Sequence, residues 1–257
     1  MHFRISFFFI MCFSCSNSWA FGNFDQIKEK ASSEMGDFVN EEILPKLLHN
    51  DPVLMEACED FLDVLNDKYD PSSPEAKLVF DSLIYAAEKH FSGLRKGTEK
   101  TPYIIHPIRV ASSLLWEAKV YDPQVLAAAL LHDVVEDTGT KFGEITQKFG
   151  PQISSLVKEL SDEMNEETGE KIFTKLVRKE KEIDHASSLT SQARLIKLAD
   201  KLDNLRDLAR RSPENWSSER VDEYFRFVGR IVENIKGTNK TLEDKIEVLL
   251  EERLGSI

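Results

Sequence analysis

Pro123-Gln-Val-Leu-Ala-Ala-Ala-Leu-Leu-His132-Asp133-Val-Val-Glu136-Asp137 decides how this chain folds. From Val125 to Leu131 every residue is apolar, so a helix here is hydrophobic around its whole circumference and belongs inside a bundle. Asp122-Pro123 supplies a start signal and Gly139 a stop. At a spacing of four, His132 stacks on Glu136 and Asp133 on Asp137, which predicts one continuous helix with four polar groups on one strip. A buried helix ending in His-Asp-x-x-Glu-Asp needs a neutralising partner. Metal coordination is the reading that supplies one.

Working outward, nearly every periodic stretch has helical spacing and alternating strand patterns are almost absent. Val53, Leu54, Cys58, Phe61, Leu62 and Leu65 mark a helix over 52–68, and Asp70-Pro-Ser-Ser-Pro74 breaks the chain after it. Ser73-Pro74 opens a helix to about 91, and His106-Pro107 one through Glu117. Gly150-Pro151 separates two short helices. Residues 162–170 are acidic and aperiodic, which predicts a mobile loop, and a basic helix with Lys171, Lys175, Arg178 and Lys179 follows. Helices near 190–209, 218–236 and 241–253, the last capped by Thr241, complete an all-α chain.

The chain has 257 residues and a formal net charge of −12, which argues against a nucleic-acid backbone as main partner. Residues 1–20 stand apart: Arg4 is their one charge, Ile5 to Phe13 is almost wholly apolar, and Ser18-Trp-Ala20 resembles a cleavage site. They read as an export signal, too short to span a membrane, with an N-terminal anchor or a misplaced start codon as alternatives. Export predicts a periplasmic or secreted protein without stable membrane insertion; otherwise it is cytoplasmic. Cleavage would leave Cys58 as a lone thiol, so no disulfide framework exists.

Asp133, Glu136, Asp137 and Asp200 would crowd carboxylates into one pocket. Two like charges about 4 Å apart cost on the order of 4 kcal/mol even at an effective dielectric near 20. A bound cation, or strongly raised pKa values, must offset that. His106, His132, Asp133 and Asp200 form a set of two imidazoles and two carboxylates, which suits Mn²⁺, with Fe²⁺ or Zn²⁺ as alternatives. Glu136 and Asp137 stand one turn on, placed to relay the proton of an attacking water. Taken singly, Asp200 with Lys197, Lys201 and Asn204 reads as a solvated helix face, and His90, His49 and His185 have no such company. Trp116 and Trp216 read as packing residues.

Thr101-Pro-Tyr-Ile-Ile-His106-Pro, Ala129-Leu-Leu-His132-Asp133-Val-Val-Glu136-Asp137-Thr and Ile196-Lys-Leu-Ala-Asp200-Lys-Leu-Asp-Asn204-Leu together resemble the HD-type hydrolase domain of RelA/SpoT proteins. The tail from Asp207 through Trp216 and Tyr224 to Asn239 is similar to the stand-alone small alarmone hydrolases. The likeness runs over about residues 76–254. It implies a helical bundle over 74–257; the leader over 1–20 and a helical extension over 21–73 precede it and are not part of the family's minimal domain. It also implies Mn²⁺ on His106, His132, Asp133 and Asp200, and a catalytic pair Glu136 and Asp137. Substrate contacts are implied at Arg95, Lys96, Asn204 and Tyr224, with Lys175 and Arg178 as further phosphate cations.

The activity implied is removal of pyrophosphate from the 3′ position of guanosine tetraphosphate or pentaphosphate, without synthetase activity. The alternatives are a phosphatase on another ribose phosphate, such as that of NADPH, or a non-catalytic nucleotide-binding protein. Asp203 stands where relatives generally carry His or Tyr, and is expected to add negative charge beside the nucleotide pocket. Oligomeric state is left open.

Overall fold

The computed structural model describes residues 51–95, 101–165, 168 and 171–255. The leader-like stretch 1–20, the first part of the extension and Lys96 lie outside the described residues. Among the described residues every regular element is a helix: α1 (Pro52–Lys68), α2 (Pro74–Lys89), α3 (Ile105–Trp116), α4 (Pro123–Leu131), α5 (Val134–Thr138), α6 (Phe142–Phe149), α7 (Pro151–Leu160), α8 (Lys175–Ala186), α9 (Ser191–Arg210), α10 (Ser218–Asn234) and α11 (Lys240–Leu254). None is long and apolar enough to cross a membrane.

The centre is α4. All seven residues from Val125 to Leu131 are at most 1% exposed, because α2, α3, α7 and α9 enclose the helix. Starts follow the proline and cap chemistry: Asp51 accepts from the amides of Val53 and Leu54, Ser73 from Ala76, and Asp122 from Gln124, each ahead of a proline. At the stop, Gly139 takes φ 72°, a left-handed conformation that only glycine adopts cheaply.

Three local expectations need correction. The central helix is not continuous: α4 ends at Leu131 and α5 begins at Val134, with Asp133 as its N-cap at φ −97°, ψ −6°, on the margin of the right-handed helical region. The last helix is capped by Asn239, not Thr241; Asn239 accepts from the amide of Leu242, while Glu243 reaches back to the amide of Asn239. Lys171 precedes the basic helix, which opens only at Lys175 after the extended Thr174. The ends of the acidic loop are paired, Met164 with Lys171 in an antiparallel bridge.

Helix α1 lies on α3 and feeds Leu54, Phe61 and Leu65 into the same core. Phe61 is fully buried. Truncation to alanine removes the whole ring, and Phe61→Ala is expected to lower unfolding free energy by about 3–5 kcal/mol. Urea denaturation reads the effect; an unchanged midpoint would show that α1 is energetically separate from the bundle.

Candidate metal centre and nucleotide cleft

Three segments meet at the floor of a cleft of about 730 Å³: the first turn of α3, the α4–α5 junction and the middle of α9. His106 comes from the first, His132 and Asp133 from the second, Asp200 from the third. His132 Nδ1 donates to the carbonyl of Ala129 at 2.7 Å, and His106 Nδ1 to Asp203 Oδ2 at 2.6 Å. Both bonds fix the tautomer with the Nε2 lone pair free. His106 Nε2 then lies 3.3 Å from Asp200 Oδ1 and 3.6 Å from Asp133 Oδ2. His132 Nε2 lies 3.1 Å from Asp133 Oδ2 and 4.0 Å from Asp200 Oδ1.

These separations fit one ion. Donors about 2.1 Å from a first-row cation are roughly 3 Å apart when adjacent and about 4 Å when opposite. The three donor atoms of His106, His132 and Asp200 all fall within 4.8 Å of one another. His132 Nε2 is also fully buried without a hydrogen-bond partner, an orphan that a cation would satisfy. Electrostatics agree. Burial works against a charge on His132, yet the carboxylates of Asp133 and Asp200 outweigh it and hold the imidazole up to about 9. Burial likewise opposes ionisation of Asp133 and Asp200. The imidazoles outweigh it for Asp133, and Lys201 with the imidazoles for Asp200, so both stay far below the ordinary carboxylate range. The floor attracts positive charge.

A support layer surrounds the floor, and much of it escaped the sequence reading. Asp203 does not burden the pocket with charge; it orients His106 and pairs with Arg95 at 3.4 Å. Lys197 and Lys201 are buried, not a solvated face. Lys201 Nζ bonds Asp200 Oδ2 at 3.1 Å and Glu182 at 2.8 Å, and Glu182 also holds Lys197 at 3.1 Å. Asn204 donates to Asp200 Oδ1 and to its carbonyl, and accepts from Arg95 at 3.1 Å. Tyr103, three residues before His106, donates its hydroxyl to Asp133 Oδ2. His90 is buried against Tyr103, ring centroids 4.8 Å apart, and burial pushes its imidazole down to about 4. The missed signals were spacing: Tyr103 precedes His106 by one turn, and Asp203 follows Asp200 by one.

The walls carry the remaining expected residues. Glu136 and Asp137 both line the cleft. Arg95 also lines it, but its guanidinium is tied to Asp203, Asn204 and Asp207 of α9. Arg178 lines the cleft and is paired with Asp162. Lys175 is exposed and is not among the lining residues; its ammonium lies 5.8 Å over the ring of Trp216. Tyr224 lines the cleft beside Trp216, the two rings 6.1 Å apart, so Trp216 faces the cavity as well as packing. Trp116 is half-exposed and elsewhere.

The HD domain family matches residues 82–225, which contain every ligand and acid named above. Guanosine-3′,5′-bis(diphosphate) 3′-pyrophosphohydrolase MESH1 of Xenopus tropicalis is 46% identical over 175 residues, 68% of this chain and 94% of that protein. The human protein of the same name is 45% identical over 179 residues, 70% of this chain and 96% of that protein. A solved structure described as a metazoan ortholog of SpoT that hydrolyzes ppGpp superposes with a TM-score of 0.65 at 41% identity, covering 72% of this chain and 98% of that chain. A floor of two imidazoles and two aspartates, a matching domain and likeness across nearly the full length of these relatives lead to one assignment: this chain belongs to the HD-domain family, among the MESH1-type, SpoT-like hydrolases.

Proposed function

We infer that the chain is a metal-dependent guanosine-3′,5′-bis(diphosphate) 3′-pyrophosphohydrolase, the activity its MESH1 relatives are named for. The observation that carries this reading is the orphan lone pair of His132 aimed at Asp133, Asp200 and His106 in the floor of the cleft. His106, His132, Asp133 and Asp200 would hold the cation, and Mn²⁺ suits their mix of imidazole and carboxylate. Bound there, it supplies Lewis-acid polarisation of a phosphoryl oxygen and acidifies water.

The chain's own residues do the rest. Arg178 at the wall brings positive charge to an acidic protein, where the substrate's phosphates need it. Trp216 and Tyr224 offer flat apolar surface to a purine base. Glu136 takes the proton of a water attacking the phosphorus attached to the ribose 3′ oxygen. The bond from that phosphorus to the 3′ oxygen breaks, the oxygen is protonated, and pyrophosphate leaves from GDP or GTP. Burial and the neighbouring Asp133 raise the Glu136 carboxyl above its ordinary value, towards the range of a general base.

Product analysis tests the reading. Manganese-loaded protein is incubated in parallel with guanosine tetraphosphate and NADPH. Stoichiometric pyrophosphate and GDP from the first substrate, abolished by EDTA, is the expected result. Orthophosphate from NADPH with no release from guanosine tetraphosphate would overturn it.

A further inference from the structure

Glu136 is held by more than its own helix. Its Oε1 accepts the backbone amide of Asp162 at 2.6 Å, and its Oε2 accepts the ammonium of Lys171. Lys171 also bonds Asp162 Oδ2 at 2.9 Å, and Arg178 closes on the same carboxylate oxygen. The four charges therefore alternate along a line: Arg178, Asp162, Lys171, Glu136. They are partly sheltered, with side chains between 15% and 29% exposed.

Backbone geometry sets Lys171 opposite Asp162. Met164 and Lys171 pair in an antiparallel bridge, and the amide of Ile172 donates to the carbonyl of Glu163 at 3.0 Å. Asp162 follows directly on α7 and its cap Ser161, and Arg178 projects from the first turn of α8. The residue that follows the end of α7 and the one that leads towards α8 thus converge on one carboxylate of α5.

We propose that Lys171 is a positioning residue for Glu136, fixing with the Asp162 amide both oxygens of the side chain so that it faces the cleft in one orientation. The proposal rests on Glu136 serving as the proton acceptor above. Two oxygens bonded to two fixed donors leave the carboxylate no free rotation. Without the ammonium, Glu136 would lose its counter-charge and keep the Asp162 amide alone, while Asp162 stayed paired with Arg178, and the Glu136 side chain would turn away from the Asp162 carboxylate. A lysine that grips substrate would instead need its ammonium turned from these acids, and here both bind it.

Two readouts test the assignment. In substrate-free protein, hydrogen exchange at the Asp162 amide reports its bond to Glu136 whatever the substrate is. Lys171→Met is expected to speed that exchange at least tenfold, and Lys171→Arg to leave it within threefold of wild type. Unchanged exchange in Lys171→Met would overturn the proposal even were guanosine tetraphosphate not the substrate. In turnover, Lys171→Met is expected to lower kcat about tenfold to a hundredfold, with KM within twofold, bound manganese unchanged and Lys171→Arg restoring most of kcat. A raised KM with kcat intact would assign Lys171 to substrate binding and overturn the positioning role.

Discussion

Asp133→Asn is expected to empty the metal site and abolish turnover together. Metal analysis should find manganese falling from about one per chain to below roughly a tenth, and the rate should drop at least ~10³-fold, the several kcal/mol that a Lewis-acid cation supplies. The substitution keeps volume and shape, so the bundle should melt as wild type does. What it removes is specific. Asp133 Oδ2 stands 3.1 Å from His132 Nε2, nearer than Asp200 Oδ1 at 4.0 Å, and it also stands 3.6 Å from His106 Nε2. An amide replaces the charged carboxylate with a neutral oxygen that already accepts from Tyr103 and a nitrogen with no lone pair to give. Retained activity at wild-type metal content would exclude Asp133 as a ligand and leave the three-donor set of His106, His132 and Asp200.

The floor of the site was legible because its chemistry is discrete. A His-Asp pair attached to a seven-residue apolar run must be buried, and buried acids need a cation, so His132 and Asp133 announced themselves. The helices were legible for the same reason: proline after Ser73 and Asp122 marks starts whatever the tertiary context. Residues that act through others were not. Lys201 and Lys197 look like a wet helix face in sequence, and only the position of Glu182 on α8 makes them interior. Asp203 looked like a surplus charge until His106 turned out to need a carboxylate behind it. The break at Asp133 was equally hidden, since nothing in Leu-Leu-His-Asp-Val-Val opposes a continuous helix. Local propensity carries no information about partners brought in from a hundred residues away.

The break matters for the acids beyond it. Restarting at Val134 gives α5 its own course, and Glu136 meets the Asp162 amide and Lys171 instead of stacking over the metal ligands. A carboxylate held away from the ion is free to exchange a proton. A carboxylate bound to it is not. On the proposed function, Asp133 and Glu136, three residues apart, serve opposite tasks. Asp133 is kept ionised by the imidazoles, and Glu136 is pushed up by burial and by Asp133 itself.

Glu136→Gln should separate those tasks. The glutamine keeps the volume and, through its carbonyl, the bond from the Asp162 amide, but it cannot accept a proton. Bound manganese is expected to stay near one per chain, KM within about threefold of wild type, and kcat to fall by about 10²–10⁴-fold. The acid side of the pH profile supplies an independent check. In the wild type kcat/KM should fall with decreasing pH as Glu136 is protonated, and its inflection should lie above the ordinary glutamate value of 4.5, because the environment raises that carboxyl. In the variant the inflection should vanish from the residual rate. Loss of metal from Glu136→Gln would make Glu136 a ligand, and wild-type kcat in the variant would pass the proton to Asp137, the other acid of α5 lining the cleft.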